Sequence, residues 1–309
     1  MMATAALNPH VGFAKGSERI DAGWYRRSRR FAELKMSKVA YVEHGRGPVA
    51  LFVHGYPLNG FQWRGALERL HAHRRCIAPD LMGMGFTETP EGQTISSATQ
   101  VTMLAMLLDA LHIDAVDLVA NDSGGIVAQL FLAKYPQRVR TLLLTNCDVD
   151  ENSPPPLILP GVEQAKKGTF VDQFIVPQLN DKKLARSANG IGGQAYTYPE
   201  KLSDETIETY LRPLIETPLK KAQASQYFAS METNMLVAIR KELLQWKGPA
   251  RMVWGLKDVL FGVEWAEWLD KTLPGSRGVR RVEGAKLFFP EEMPELIAEE
   301  AAKLWSVKR

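Results

Sequence analysis

The residues with the most chemical content lie in the run AVDLVANDSGG (115–125), which leads straight into IVAQLFLAKYP. An apolar run that ends in Asn-Asp-Ser-Gly-Gly before a helical pattern reads as a buried strand, a tight turn and a helix. A turn that sharp lifts one side chain above the end of a sheet, where it can act as a nucleophile. The flanking residues must then be small, so that strand and helix can approach each other. With Asp122 at the apex the small flanks are Ala120, Gly124 and Gly125. With Ser123 at the apex the flanks are Asn121, Gly125 and Ile126, and only the glycine is small. The sterics favour Asp122. A carboxylate there can attack carbon and form an ester of the enzyme. The plainer reading is a carboxylate that complements a helix dipole.

Those residues need elements to position them, and the chain supplies a strand–helix alternation. FAELKM and KVAYVEHG read as a hairpin of edge strands. VALFVHG (49–55), RRCIAPD (74–80), AVDLVAN and TLLLTNC (141–147) read as buried strands, and Ser97 as the cap of a helix carrying Val101, Leu104, Ala105, Leu108 and Leu111 on one face. This is the pattern of an α/β protein with a mostly parallel, doubly covered sheet. Ligands in such sheets sit beyond the carboxyl ends of the strands. Here those ends are His54-Gly55-Tyr56-Pro57, Asp80-Leu81-Met82-Gly83, Asp122 and Asn146-Cys147-Asp148. The alternation breaks at Pro154-Pro155-Pro156 and returns with ARMVWG (250–255), VEWAEWLDKTLPG, GVRRVEG (278–284) and a last helix from Pro294. The expected organisation is an irregular surface arm over 1–34, a core over 35–150, a helical cap over 151–246 and the rest of the core over 247–309. The immediate helix after the turn also argues against reading Asp-Ser-Gly-Gly as a chymotrypsin-like serine protease signature, since that family is all-β.

The chain has 309 residues with 38 basic and 35 acidic side chains, a balance that calls for neither nucleic acid nor a membrane surface. Cys76 and Cys147 sit in separate apolar runs and read as free thiols, which sets a cytoplasmic location as the expectation. The segment SRRFAELK lacks the apolar run that a twin-arginine signal requires. No run approaches the ~18 apolar residues of a membrane helix.

In order along the chain, HGYP (54–57), APDLMGMGFT (78–87), ANDSGG (120–125), the LLLTNCD strand end and VWGLKD (253–258) resemble the α/β-hydrolase superfamily, and within it the haloalkane dehalogenase and epoxide hydrolase branch. The resemblance covers about residues 35–309. It implies the α/β-hydrolase fold with a helical cap and Asp122 as nucleophile. It also implies oxyanion-hole amides at Tyr56 and Ser123, and Asp258 as the acid that orients a histidine, with Asp148 and Asp150 as second choices for that acid. A small apolar halide, epoxide or ester is the implied substrate, and no cofactor or metal is expected. His54 matches a structural position in the HG turn.

The same resemblance exposes a departure. The family carries its base in a stretch that reads here GAKLFFPEEMPEL, and Leu287 stands at the histidine position. The six histidines are His10, His44, His54, His71, His73 and His112, so none follows residue 112. Lys286, Glu291 and Glu292 are the nearest polar residues. Ser123 and Tyr56 also occupy the two places where dehalogenases of this type hold the leaving halide, which makes Trp63 a candidate donor as well as a candidate core residue. Tyr196, Tyr198, Tyr210 and Tyr227 are the cap tyrosines that could protonate an opening epoxide, or simply pack. Three functions follow: a hydrolase-type enzyme with impaired turnover, a receptor-like binding protein that keeps the pocket, or a lyase or isomerase that uses Asp122 without water.

Overall fold

A computed structural model of the chain describes residues 19–231 and 233–306. Its frame is one eight-stranded sheet: β1 (Arg30–Glu33), β2 (Lys38–His44), β3 (Val49–Val53), β4 (Arg75–Pro79), β5 (Val116–Asp122), β6 (Val139–Cys147), β7 (Ala250–Gly255) and β8 (Ser276–Val282). The spatial order is β1-β2-β4-β3-β5-β6-β7-β8. β2 is antiparallel to β1 and β4, and every other pair is parallel. β3 and β5 are buried along their whole length, because helices cover both faces and leave neither exposed.

The helices α1 (Ala22–Arg27), α2 (Arg64–Leu70), α3 (Ser97–Ala110) and α4 (Ser123–Lys134) pack around this sheet. In α4 every residue from Ser123 to Gln129 is buried, as befits a helix that is apolar all round. Between β6 and β7 the chain runs through short helices from Pro156 to Gln245. A final helix, Pro294–Trp305, returns to pack on α2. Both cysteines are buried and unbonded to each other. Among the described residues no helix is long and apolar enough to cross a membrane.

Two sequence expectations need correction. The irregular surface arm over 1–34 is ordered in its described part: α1 buries Ala22, Trp24 and Tyr25, and β1 starts at Arg30. Its anchor is polar, since the Tyr25 hydroxyl donates to Asp80 Oδ1 at 2.6 Å. The first eighteen residues lie outside the described ones. The α3 cap is Ser96 rather than Ser97, with Thr99 Oγ1 reaching back to the Ser96 N–H to complete a capping box.

The contact that fixes the turn after β5 is backbone on backbone. A Cβ on Gly124 would stand 2.5 Å from the His54 carbonyl oxygen and 2.7 Å from that of Val53. Neither atom can move without displacing the end of β3. Gly124→Ala is therefore expected to lower stability by about 1–3 kcal/mol. The measurement is the urea midpoint at unchanged slope, and an unshifted midpoint would remove close packing as the reason for the glycine.

Candidate active site

Asp122 is the last residue of β5 and stands immediately before α4, with φ 54° and ψ −139°. A positive φ is uncommon away from glycine, and here the packed elements on both sides impose it. Gly125 completes the constraint, because a side chain there would run into Cys147 on β6. The Asp122 carboxylate accepts a hydrogen bond from the Tyr56 N–H at 2.8 Å, and the same N–H lies 3.1 Å from Ser123 Oγ. The Ser123 amide also favours the ionised form of Asp122. Tyr56, Ser123 and Asp122 are thus brought together.

Beneath the carboxylate, three buried amide side chains tie the strand ends into one platform. Gln62 Nε2 donates to Asn121 Oδ1 at 2.6 Å, and Asn121 Nδ2 donates to the carbonyls of Asn146 (3.0 Å) and Leu287 (3.1 Å). Asn146 Nδ2 donates to Asp258 Oδ2 at 2.9 Å and to the Gly255 carbonyl at 3.0 Å, while its Oδ1 accepts from the Gly255 N–H. The loop after β8 is therefore pinned at Leu287 by a side chain next to the elbow. It is also stitched to the helical insertion, through the Phe288 N–H to the Ala195 carbonyl and the Lys286 N–H to Thr197 Oγ1. Sequence reasoning missed Gln62, Asn121 and Asn146. Their signal was a polar amide within or beside an apolar run, which must find partners once buried.

Above the platform lies a cavity of about 510 Å³, walled by Phe170, Phe174, Phe228 and Met231 from the insertion and by Leu287 and Phe288 from the loop after β8. The Tyr56 ring stacks on Phe228 at 5.0 Å. Three carboxyl groups reach this cavity: Asp122, Asp148 and Asp258. Burial raises Asp122 to about 7 against the opposing pull of the Ser123 and Tyr56 amides, and Asp258 adds like-charge repulsion. Burial likewise raises Asp258 to about 6, although it accepts from the Leu260 N–H and from Asn146. Asp148 is raised well above the usual range, first by burial and then by Asp122.

The remaining predicted residues fall elsewhere. His54 is a neutral structural imidazole: Nε2 accepts from the Leu81 N–H at 2.9 Å, which leaves Nδ1–H to donate to the Gly55 carbonyl, and burial lowers its pKa. Trp63 is fully buried against Phe52 and does not line the cavity, so it is no leaving-group donor. Asp150 is turned out of the site by its positive φ and forms a two-point ion pair with Arg240. None of the four tyrosines lines the cavity. Tyr196 and Tyr210 both donate to Glu291 Oε2, while Glu291 Oε1 pairs with Arg64. Tyr198 is exposed, and Tyr227 is buried behind Tyr56. Glu292 holds the amides of Thr197 and Tyr198. Lys286 reaches the cavity wall but donates to the Gly193 carbonyl at 2.5 Å. Leu287 is 4% exposed and carries no proton acceptor in its side chain.

A carboxyl whose pKa is raised by folding binds its proton more tightly in the native state. Asp122 therefore costs the fold nothing at pH 3, and progressively more as pH climbs from about 4 to 7. Asp122→Asn removes that cost. The variant is expected to exceed the parent in stability by about 2–4 kcal/mol above pH 8, with the gap closing as pH falls toward 4. Denaturant melts across that range check it, and a gap that is constant with pH would contradict it.

A family model described as the alpha/beta hydrolase fold matches residues 48–184. The chain is 27% identical to a cis-3-alkyl-4-alkyloxetan-2-one decarboxylase of Shewanella oneidensis, over 77% of this chain and 77% of that protein. It is 25% identical to epoxide hydrolase 1 of Caenorhabditis elegans, over 91% of this chain and 70% of that one. The fold superposes on a haloalkane dehalogenase from Bradyrhizobium elkani with a TM-score of 0.74 at 21% identity, covering 91% of this chain and 99% of the other. Residues 48–184 thus match the α/β-hydrolase fold, and the chain is similar to proteins that include epoxide hydrolases and a haloalkane dehalogenase.

Proposed function

We propose that this protein is an enzyme that opens a small apolar halide, epoxide or strained ester by attack of Asp122, and that water cleaves the resulting aspartyl ester only slowly. The observation that carries this reading is Leu287: it closes the cavity wall beside a correctly held carboxylate, with its backbone fixed by Asn121. With Asp122 as nucleophile, no histidine among the described residues lines the cavity to activate water. General-base help is worth about 10²–10⁴-fold, so the first half-reaction survives and the second stalls.

A second reading, lactone decarboxylation, gains support from the same absence, because it needs no water. Attack of Asp122 on the ring carbon bearing the lactone oxygen would break that C–O bond and release a carboxylate. Loss of CO₂ would then form an alkene and expel Asp122 with its bonding electrons. The decarboxylase from Shewanella oneidensis among the relatives makes a β-lactone the natural probe.

Incubation with an alkyl bromide, an epoxide or a β-lactone should add the probe's mass, less the leaving group where one departs, to the peptide carrying Asp122. Asp122→Asn should abolish that addition. A lactone that decarboxylates instead yields alkene and unmodified enzyme. Leu287→His should raise ester hydrolysis by about 10²-fold or more. If no probe gives an adduct or a product, and ligands only raise the melting temperature saturably, the protein is a binder and the reading fails.

A further inference from the structure

The geometry points to a second reactive group. We propose that Asp148 is a catalytic acid: it lines the cavity one residue beyond the strand partner of Asp122, with one carboxyl oxygen unpartnered, and donates its proton to the oxygen that leaves a strained cyclic ether. The proposal rests on the reading of Asp122 as nucleophile and narrows the substrate class from halides to oxygen leaving groups.

The placement follows from the sheet. Asp122 pairs in register with Cys147 on β6, so Asp148 is the next residue along the neighbouring strand end. Both side chains line the same cavity, and the charge of Asp122 acts on the Asp148 carboxyl. Asp148 is only 2% exposed, and its Oδ1 has no hydrogen-bond partner among the described residues. A buried polar atom left unpaired costs about 1–3 kcal/mol. A ligand oxygen that accepts a hydrogen bond from the neutral carboxyl would recover that loss. Burial, Asp122 and Asp258 favour the neutral form and outweigh the pull of its own backbone amide and the Ser153 hydroxyl, while Lys286 on the cavity wall is held by Gly193.

The usual donors are absent here. Tyr196 and Tyr210 are committed to Glu291, and Tyr227 does not reach the cavity. The Tyr56 hydroxyl is also unpartnered, but a phenol whose pKa burial raises further is a weaker acid than a carboxyl. The step balances without another reactant. An Asp122 oxygen bonds to the ring carbon, the C–O bond breaks toward oxygen, and the Asp148 proton moves to that oxygen. The negative charge shifts from Asp122 to Asp148, so the apolar cavity holds the same net charge before and after.

The test compares single-turnover labelling of Asp122 by an epoxide and by an alkyl bromide of the same chain length, since bromide leaves without a proton. For Asp148→Leu, the epoxide rate should fall about 30-fold or more beyond any fall in the bromide rate. Asp148→Asn keeps the shape and can hydrogen-bond but cannot give up a proton, so it should show the same selective loss even if the leucine variant does not fold. In the parent protein, the epoxide rate should fall at high pH while the bromide rate holds. Equal loss of both rates, no selective loss in Asp148→Asn, or a selective loss in Tyr56→Phe alone would overturn the assignment. Failure of both the epoxide and the bromide to label Asp122 in the parent would instead overturn the nucleophile reading itself.

Discussion

Three carboxyl groups open onto one apolar cavity, and no cation pairs with any of them among the described residues. That constraint governs the chemistry of the site. Removing ionised carboxylates from water is expensive, and neighbouring like charges add to the cost, so the three cannot all ionise freely. The amides of Tyr56 and Ser123 support charge on Asp122, and Asn146 and the Leu260 amide support it on Asp258. Asp148, with an unpartnered oxygen, is left as the group most easily kept neutral. Environments that push neighbouring acids apart in this way divide the roles of nucleophile and proton donor.

The elements around Asp122 are locked together by close contacts and hydrogen bonds. The elbow keeps its strained backbone at Asp122, and Gly124 still lets α4 press on the end of β3. Asn121 and Asn146 still hold the loop of Leu287 against the elbow, and Glu291 clamps two tyrosines and Arg64 behind it. On the proposed reading the departure at Leu287 is local: its backbone is fixed beside the elbow by Asn121, and its side chain cannot accept a proton. Adduct formation is therefore expected to survive and hydrolysis to suffer.

Much of this was legible in the sequence. The buried strands declared themselves as continuous apolar runs, and the small residues around Asp122 located the elbow, because sterics at a tight turn leave few choices. Residues 19–34 were misread because α1 is only six residues long, too short for periodicity to distinguish from irregular chain. Trp63 and the tyrosines were ambiguous for another reason. An aromatic side chain suits a core and a pocket equally, and only the packing showed that Trp63 lies against Phe52 and that Tyr196 turns to Glu291. Asp148 and Asp150 are two residues apart, yet the positive φ at Asp150 sends it to Arg240 while Asp148 stays at the cavity. Composition and spacing carry no trace of that turn.

The most direct test of the account is a ¹³C NMR titration of the aspartate carboxyls, assigned by Asp122→Asn and Asp148→Asn. The expected result is that Asp122 ionises near pH 7 and that Asp148 ionises well above the ordinary carboxylate range. Ionisation of both groups by pH 5 would mean that the cavity solvates charge freely, and would contradict both the division of roles and the cost on which it rests.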